Sequence, residues 1–421
     1  MQPKFFQGTQ DRMEILKMVL NDLGNPDEAF KIIHIIGTNG KGSTARMTAS
    51  LLESLGFSVG LFTSPHIDTI YERIQVDGEN ISDEEYQLCR GLVRDSVEST
   101  AKIKFDDMTW FDAFFLTAML YFARKKVDYV VMEAGIGGII DSTNGVKNVE
   151  YTIFTKIGMD HNALLGQTID AISEVKLGAM RDGTTVILAP KQREVVKNKF
   201  IIYSKERHAS MLFAEDLFLE RHGKFVVTEL QGKNFKFSTH LYADYQLENM
   251  KTALTFLVDF CAKNKLEITE DLLNRSLGQL KIKGRFETIY NRPRIILDGA
   301  HNADGIHAFT EYVRENFKEY EKYIFTGFVD DKDLNTILTE LLSLNARFYF
   351  TTPRTDRAVS AGKLNKIANS LGKKEIQITE DAIVKIMELV EEKRDEKIVI
   401  FIVGSLYLIT DLRKNLIEHL K

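Results

Sequence analysis

The sequence predicts an α/β protein with two domains, each built on a mainly parallel sheet, and three observations support this. The chain has 421 residues, more than one ordinary hydrophobic core accommodates, so two domains are expected. Short apolar runs alternate with helical stretches, which is typical of parallel sheets covered by helices. A glycine-rich turn joins the first apolar run to a helical pattern, as at the ligand sites of such sheets.

Two series of apolar runs are predicted to be strands. The first series covers 32–36, 58–63, 128–133, 151–155 and 185–189, and the second covers 294–298, 322–327, 347–352, 375–378 and 397–403. Residues 200–240 are rich in Phe, Val and Lys without a helical period, which indicates a β-rich excursion. The segment "ETIYNRPR" around Pro293 is interpreted as a hinge. We therefore expect a first domain over 1–290 and a smaller second domain over 291–421.

The composition excludes several classes of protein. Hydrophobic residues make up 44% and charged residues 27%, and the net charge of -5 favours neither a nucleic acid nor a membrane surface as partner. The two cysteines, Cys89 and Cys261, form no CxxC pair, which fits a reducing compartment. The N-terminal residues lack the apolar core of a signal peptide, and the most apolar run, 398–410, is too short to span a bilayer. A cytoplasmic protein is expected.

A phosphate-binding loop is predicted in "IIHIIGTNGKGSTARMTASLLESLG", which begins at Ile32. Glycines let several backbone N–H groups face one anion, and the following helix adds its positive N-terminal end. Lys41 would reach the β- and γ-phosphates, and the hydroxyl of Ser43 or Thr44 would approach phosphate or metal. The strict pattern GxxxxGK[ST] is not met, because Gly42 separates Lys41 from Ser43. The strand before the loop and the helix after it favour a phosphate cradle over a simple tight turn.

Further motifs follow the loop in order: "FTSPHIDTIYERIQVDG", "TWFDAFFLTAMLYF", "MEAGIGGIIDSTN", "DHNALLGQT", "SEVKLGAM", "YQLENMKTAL", "GRFE", "DGAHN", "DKD" and "GSLYLI". Together with GTNGKGS they closely resemble the folylpolyglutamate synthase and dihydrofolate synthase family of the Mur ligase superfamily, over residues 12–413. The resemblance implies a P-loop nucleotide-binding domain and a smaller Rossmann-like C-terminal domain. It also implies an ATP-dependent ligase that adds L-glutamate to the carboxylate of folates through an acyl phosphate. Conversion of dihydropteroate to dihydrofolate is left open as a second activity.

The same resemblance implies the site residues. The nucleotide would be bound by Thr38, Asn39, Gly40, Lys41, Gly42, Ser43, Thr44, Asn249, Arg285, Asp298 and His301. Magnesium would be held by Ser64, Glu133, His161 and Lys176, the lysine being carbamylated. Folate and glutamate would contact Thr109, Asp141, His301 and Ser405. Catalytic roles fall to Lys41, His161, Lys176 and Arg285. The implied cofactors are ATP and Mg²⁺, with a monovalent cation such as K⁺ as a further candidate, and a monomer is expected.

Taken alone, several of these residues have plainer interpretations. Glu133 ends the apolar run "VDYVVME", where a buried carboxylate carries a desolvation cost unless a cation or a donor compensates it. The plainer interpretation of Glu133 is an ion-paired or helix-capping glutamate. His161 would ordinarily be a loop histidine bonded to the backbone. Lys176 would ordinarily be a solvated helix residue. Asp298 precedes Gly299, a common turn pair.

Three departures from the family pattern stand out. The family's "GGRLDATN" is "GGIIDSTN" here, so Ile139 replaces an arginine on the pterin side of the site. Tyr245 replaces a histidine, and Lys283 replaces a proline. These two substitutions are expected to alter local geometry rather than chemistry. The sequence does not distinguish dihydropteroate from reduced folates as the substrate.

Two other functions compete with this interpretation. Mur ligases that build peptidoglycan carry a domain of about a hundred residues ahead of the phosphate loop. Here the loop starts at Gly37, which disfavours that class. A switch or binding protein that hydrolyses ATP without ligation is the second alternative, since a fold does not fix a function.

Overall fold

The structure, a computed structural model, describes residues 9–373 and 375–420, which form two compact units. The first unit comprises the described residues up to Gly158, together with Asn162–His240 and Gln246–Leu280. The second comprises Met159–His161, Leu241–Tyr245 and the described residues from Lys281 onward. Within the described ranges, no helix combines the length and the apolar character that crossing a membrane requires.

The first unit carries an eight-stranded sheet, a small three-stranded sheet and the helices around them. Its strands are β1 Lys31–Ile36, β2 Val59–Phe62, β3 Ile74–Val76, β4 Glu79–Asn80, β5 Tyr129–Glu133, β6 Val149–Phe154, β7 Thr185–Leu188, β8 Ser210–Phe213, β9 Leu219–His222, β10 Phe225–Leu230 and β11 Lys233–Ser238. Its helices are α1 Thr9–Asp22, α2 Lys41–Ser54, α3 Asp83–Ser96, α4 Trp110–Lys125, α5 Asn162–Leu165, α6 Ile169–Leu177, α7 Glu194–Glu206, α8 Asp244–Asn264 and α9 Glu270–Leu273. The first two residues of α8, Asp244 and Tyr245, belong to the second unit.

The large sheet has the order β4-β3-β2-β5-β1-β6-β7-β8. Strands β2, β5, β1, β6, β7 and β8 are parallel, and β3 and β4 extend one edge antiparallel. Strands β1, β2, β5 and β7 are almost wholly buried, which explains their continuous apolar sequences, because helices cover both faces of a parallel sheet. The five strands predicted in the first series are confirmed. Parallel strands end at the same edge of the sheet, so the segments that follow β1, β2 and β5 lie together.

The predicted β-rich excursion is confirmed for its second part. Strands β9, β10 and β11 form an antiparallel sheet of order β11-β10-β9, with Val226 and Phe237 paired across it and buried. Strand β8 instead joins the edge of the large sheet beside β7. The beginning of the excursion is helical, because α7 continues to Glu206.

The second unit is built on a six-stranded sheet of order β12-β13-β17-β14-β15-β16. Its strands are β12 Arg285–Asn291, β13 Arg294–Asp298, β14 Glu321–Thr326, β15 Arg347–Phe350, β16 Ile376–Ile378 and β17 Ile398–Val403. Its helices are α10 Ala303–Asn316, α11 Leu334–Leu341, α12 Ala361–Ser370, α13 Ala382–Glu392 and α14 Leu406–His419. All pairings are parallel except that of β12 with β13. Phe309 and Phe317 pack edge-on against Phe401 in its core, and the second series of predicted strands is confirmed.

The hinge predicted at "ETIYNRPR" is wrong. This segment forms β12 and the turn of an antiparallel hairpin, in which Asn291 pairs with Arg294 and Arg285 with Asp298. Arg292 and Pro293 form the turn, because an antiparallel pair needs only a two-residue connection. The main division of the chain accordingly falls before Lys281, ahead of β12, whereas the sequence analysis placed it after residue 290.

Candidate active site

The phosphate loop lies between the end of β1 and the start of α2, as predicted from its glycines. Gly40 caps α2 with a left-handed backbone, φ 88°, and a Cβ there would lie 2.1 Å from Asn249 Oδ1, so only glycine fits. The Thr38 hydroxyl donates to the Gly158 carbonyl at 3.0 Å and accepts from the Gly158 amide at 3.1 Å. The amides of Thr38 and Asn39 both donate to the Lys156 carbonyl. The loop is therefore fixed by the segment that follows β6, and the first amides of α2 remain available for an anion.

The side chains of the loop differ in their exposure. The Lys41 ammonium donates to the Thr38 carbonyl at 3.3 Å and is partly exposed. Ser43 and Thr44 are buried in the first turn of α2. The Thr44 hydroxyl has no hydrogen-bond partner in the described part of the chain. Of these three side chains, the partly exposed Lys41 is thus the one that can reorient toward a bound phosphate.

Glu133 ends β5 and lies directly against the phosphate loop. Its Oε2 accepts from the Ser64 amide at 2.9 Å, and a Cβ on Gly42 would lie 3.2 Å from the same oxygen. Ser64 follows β2, so two neighbouring parallel strands deliver these residues to one edge of the sheet. Within the described residues, no group of three or more His, Cys, Asp and Glu side chains forms a metal cage. A carboxylate beside a phosphate loop is nevertheless a fitting oxygen ligand for a divalent cation that also binds phosphate.

Lys176 lies in the last turn of α6 and is only 2% exposed, although a lysine in such a segment is ordinarily solvated. Its Nζ donates to the Gly37 carbonyl of the phosphate loop and to the Ile136 carbonyl, both at 2.9 Å. The unmodified ammonium thus connects two loops. A carbamate keeps one N–H and can serve only one of these two carbonyls, so carbamylation of Lys176 stays a prediction.

Asp141, predicted to contact substrate, is buried and organises the loop 135–145. Its Oδ2 accepts from the amides of Ile136 and Gly137 at 3.0 and 3.1 Å. Its Oδ1 accepts from the Thr143 amide at 3.1 Å and the Thr143 hydroxyl at 2.6 Å. Burial opposes the charged form, but these hydrogen bonds outweigh it and lower the pKa of the carboxyl.

His34 is a functional candidate that was not predicted from the sequence. Its Nε2 lies 2.9 Å from the Thr143 hydroxyl. The one available signal was a polar residue inside the buried run "IIHII".

Thr109, also predicted on the substrate side, caps the start of α4. Its hydroxyl accepts from the Asp112 amide at 3.1 Å and donates to the Asp112 carboxylate at 2.6 Å. Arg12 pairs with the same carboxylate at 2.6 Å, and the Ser142 hydroxyl donates to it as well. Asp112 and Arg12 were missed, although the spacing of Thr109 and Asp112 is that of a capping box. Ile139, the residue at the family's arginine position, is 48% exposed.

In the second unit, Asp298 ends β13 and is almost wholly buried. It accepts from the Tyr245 hydroxyl at 2.5 Å and from the amides of Phe286 and Ala300 at 3.1 and 2.8 Å. Burial raises the pKa of Asp298 despite these donors and the nearby Arg285. The substitution of histidine by Tyr245 thus supplies a buried donor to this carboxyl. The Arg285 guanidinium lies over Gly299, where a Cβ would come within 2.6 Å of Nη1.

A second carboxylate cluster in this unit is centred on Asp160. It accepts from Asn302 Nδ2 at 3.0 Å and pairs with Lys332 Nζ at 2.5 Å and His301 Nε2 at 3.4 Å. Burial opposes its charge, but His301, Lys332 and His161 lower the pKa of this carboxyl well below its usual range. Asp160 and Lys332 were not among the predicted site residues, although Lys332 is the lysine of the "DKD" motif.

His161 and Ser405 complete the predicted residues of the second unit. His161 has a left-handed backbone, φ 49°, and its Nδ1 lies 3.8 Å from Asp331 Oδ2. Ser405 caps α14 and accepts from the Tyr407 amide at 3.1 Å. By its contacts His161 belongs to the second unit, whereas the other predicted metal ligands, Ser64, Glu133 and Lys176, belong to the first.

Comparison with known proteins agrees with this geometry. Residues 35–257 match the family model of the Mur ligase middle domain, and residues 281–415 match that of the dihydrofolate synthetase C-terminal domain. The chain is 31% identical to the dihydrofolate synthase/folylpolyglutamate synthase of Bacillus subtilis, over 97% of this chain and 96% of the relative. It is 32% identical to the folylpolyglutamate synthase of Lacticaseibacillus casei, over 97% and 95%.

Among solved structures, the chain is similar to the Mycobacterium tuberculosis folylpolyglutamate synthase complexed with ADP and AMPPCP, with a TM-score of 0.85 and 26% identity over 96% of this chain and 95% of that one. The phosphate loop, the acidic strand end beside it and these end-to-end matches lead to one conclusion. The chain belongs to the folylpolyglutamate synthase/dihydrofolate synthase family of Mur-type, ATP-dependent ligases.

Proposed function

We propose that this chain joins L-glutamate to the carboxylate of a folate, with ATP driving the reaction through an acyl phosphate. The observation that carries the proposal is the phosphate loop with the Glu133 carboxylate directly against Gly42, in a chain that matches ligases of this kind from end to end. A carboxylate does not react with an amine at neutral pH, because oxide is a very poor leaving group. The chain must therefore activate it.

In this proposal the first unit binds the phosphates of ATP. The curled loop 37–40 and the first amides of α2 receive the phosphates, and Lys41 neutralises charge that develops on the transferred group. The M. tuberculosis relative is complexed with ADP and AMPPCP, which supports a nucleotide as a ligand of this chain. The carboxamide of Asn249 on α8 lies against Gly40, and Asn249 is the further nucleotide residue proposed from the first unit. Arg285, Asp298 and His301 are the nucleotide residues proposed from the second unit.

Glu133 and Ser64 would hold Mg²⁺, with His161 and Lys176 as the further proposed ligands. The Glu133 carboxylate is a suitable ligand, because Mg²⁺ prefers hard oxygen atoms. When bound, magnesium neutralises phosphate charge during the transfer. Lys176 is suitable as a ligand only as a carbamate, since an ammonium repels a cation.

The proposed reaction proceeds in two steps. A carboxylate oxygen of the folate attacks the γ-phosphorus, the bond to the β–γ bridging oxygen breaks, and ADP leaves. The neutral amino group of L-glutamate then attacks the acyl carbon, the amine gives up a proton, and inorganic phosphate leaves. Holding the three reactants together replaces a termolecular encounter by proximity. His301 and Ser405 are proposed to position glutamate, and Thr109 and the loop that Asp141 organises are proposed to position folate.

We place the boundary between the ATP-binding domain and the C-terminal domain before Lys281 rather than after residue 290. The pairing of β12 with β13 supports this choice, because a boundary at 290 would separate the two strands of one hairpin. Location in the cytoplasm, a monomeric state and a role for K⁺ stay predictions.

The test is ADP release from ATP with dihydropteroate or with tetrahydrofolate, each with and without L-glutamate. The proposal predicts ADP release that requires both a pterin substrate and glutamate, with a lengthened amide in stoichiometric amount. Tetrahydrofolate is the substrate expected to be accepted, and turnover of dihydropteroate would add the second activity. ATP hydrolysis that is indifferent to both substrates would favour the non-ligating switch and overturn the proposal.

A further inference from the structure

Strand β1 contains one polar side chain among apolar ones. His34 is 0% exposed, as are Ile33 and Ile35 on either side of it. A buried imidazole costs free energy unless hydrogen bonds compensate it, and an apolar residue would avoid that cost. His34 Nε2 has one partner, the Thr143 hydroxyl, while Nδ1 has none within 9–373 and 375–420. The position therefore keeps a polar group at some cost in stability.

The direction of each hydrogen bond follows from chemistry. The Asp141 carboxylate only accepts, so the Thr143 hydroxyl, 2.6 Å away, donates its single proton to it. The hydroxyl then has lone pairs left and accepts from His34, which places the imidazole proton on Nε2. Burial lowers the pKa of His34 to about 4, so the ring is neutral at physiological pH. We call the chain His34–Thr143–Asp141 the His34 relay.

The His34 relay leads to the loop 135–141, and further hydrogen bonds connect this loop to the residue that follows β1. Asp141 accepts from the amides of Ile136 and Gly137, and the Ile136 carbonyl accepts from Lys176. The other carbonyl bound by Lys176 is that of Gly37, which follows β1 directly. The hydrogen bonds thus form a closed ring from β1, through the loop, to the phosphate loop at the end of β1.

A close approach to α6 limits the freedom of the loop further. A Cβ on Gly138 would lie 2.3 Å from the Val175 carbonyl, and the Ile139 amide donates to that carbonyl at 3.1 Å. Ile139, which is 48% exposed, also lies against Gly178 at the end of α6, where a Cβ would come within 2.3 Å of its Cδ1. The relay fixes the opposite side of the same loop.

We propose that His34 is a positioning residue, which through Thr143 and Asp141 holds the loop 135–141 in register with the phosphate loop, so that the folate carboxylate meets the γ-phosphate. The inference rests on the proposed function for the identity of the substrate. Asp141 is thereby assigned to the support of the loop, because one of its oxygens accepts from Ile136 and Gly137 and the other from Thr143.

The test compares three threonine variants, each of which changes one small group of the side chain. Thr143→Val removes the hydroxyl at nearly constant volume and interrupts the relay, whereas Thr143→Ser keeps the hydroxyl. Thr152→Val is the matched control. Thr152 lies opposite His34 on β6 and is 0% exposed, and its hydroxyl has no hydrogen-bond partner in the described residues. Should Thr143→Val fail to fold, His34→Leu interrupts the relay one bond earlier.

Two readouts separate positioning from stability. In ligand-free protein, hydrogen exchange of the Ile136 and Gly137 amides should be faster in Thr143→Val by about tenfold and unchanged in Thr152→Val, because the Asp141 carboxyl that accepts from them loses one of the hydrogen bonds that hold it in place. In steady state, Thr143→Val should raise KM for the folate substrate by about tenfold while KM for ATP stays within about twofold. Thr143→Ser should restore both.

Unchanged exchange of these amides, or a KM for folate equal to that of the wild type in a folded Thr143→Val, would overturn the inference. Equal losses in Thr143→Val and Thr152→Val would also overturn it, since a general packing defect would then explain them. Failure of the proposed function gives a different result: the wild type itself would show no substrate-dependent ADP release. The exchange measurement needs no substrate and still decides whether the relay holds the loop.

Discussion

The phosphate-loop region of the first unit and the carboxylate clusters of the second unit are stabilised in different ways. The loop 37–40 is positioned by glycines, backbone carbonyls and a threonine hydroxyl. In the clusters of Asp160 and Asp298, donors converge on a buried carboxyl, and they include the side chains of Lys332 and Tyr245. Backbone positioning depends on local conformation and tolerates changes in nearby charges. Convergent side chains leave a buried charge uncompensated when one of them is removed, so the second unit should be the more sensitive to single substitutions.

The largest effect is expected for activity in the first unit. Lys41→Ala should lower kcat by about 10²–10³-fold, because a charge-neutralising donor to the transferred phosphoryl group is lost. The unfolding midpoint should not change, since Lys41 makes only a 3.3 Å bond to the Thr38 carbonyl. Lys147→Ala, which removes a surface pair with Glu28, is the control and should keep full activity. Turnover near the wild-type rate in a folded Lys41→Ala would remove Lys41 from the phosphate site.

Stability of the second unit should respond most to Lys332→Met. The side chains of Lys332 and Asp160 are 5% and 7% exposed, so the variant leaves a buried carboxylate without its cation. We expect the free energy of unfolding to fall by about 3–5 kcal/mol, measured with urea. The exposed pair of Lys397 and Glu319 offers a control, where Lys397→Met should lower the free energy of unfolding far less, because solvent screens a surface ion pair. Equal losses at the two positions would contradict the contrast between buried and surface pairs.

The metal requirement gives the next test. Glu133→Gln keeps the shape of the side chain and the acceptor for the Ser64 amide but removes the charge. The magnesium concentration for half-maximal activity should rise by roughly 10–100-fold. Glu150→Gln, which alters a pair with Lys31 away from the loop, should leave the magnesium titration unchanged. If the activity of Glu133→Gln and of the wild type depended on magnesium concentration in the same way, Glu133 would not be a ligand of the cation.

The smallest effect concerns the substitution of the family's histidine by Tyr245. Tyr245→Phe removes one donor from Asp298 and leaves the amides of Phe286 and Ala300 in place. A loss of about 1 kcal/mol in the free energy of unfolding is expected. Tyr323→Phe, whose hydroxyl donates to the half-exposed Glu321, should cost less. A Tyr245→Phe variant as stable as the wild type would show that the two amides satisfy Asp298 alone.

The same contrast explains what could be predicted from the sequence. The strands and the loop around Lys41 follow from local patterns, namely apolar runs and glycine spacing, and the structure confirms them. The Asp160 cluster does not, because Asn302 and Lys332 lie 142 and 172 residues away along the chain. The burial of Lys176 and the role of His34 depend in the same way on pairing partners from other segments. The hairpin at Pro293 was taken for a linker, since a strand rich in polar residues carries little apolar pattern.

The measurement closest to the central claim follows one oxygen atom. Folate substrate labelled with oxygen-18 in its reacting carboxylate is turned over with ATP and L-glutamate, and the inorganic phosphate is analysed by mass spectrometry. An acyl phosphate transfers one labelled oxygen to each phosphate, because the carboxylate oxygen that attacks the γ-phosphorus leaves with it. We expect phosphate that carries one oxygen-18 per amide formed. Unlabelled phosphate alongside normal amide formation would contradict it.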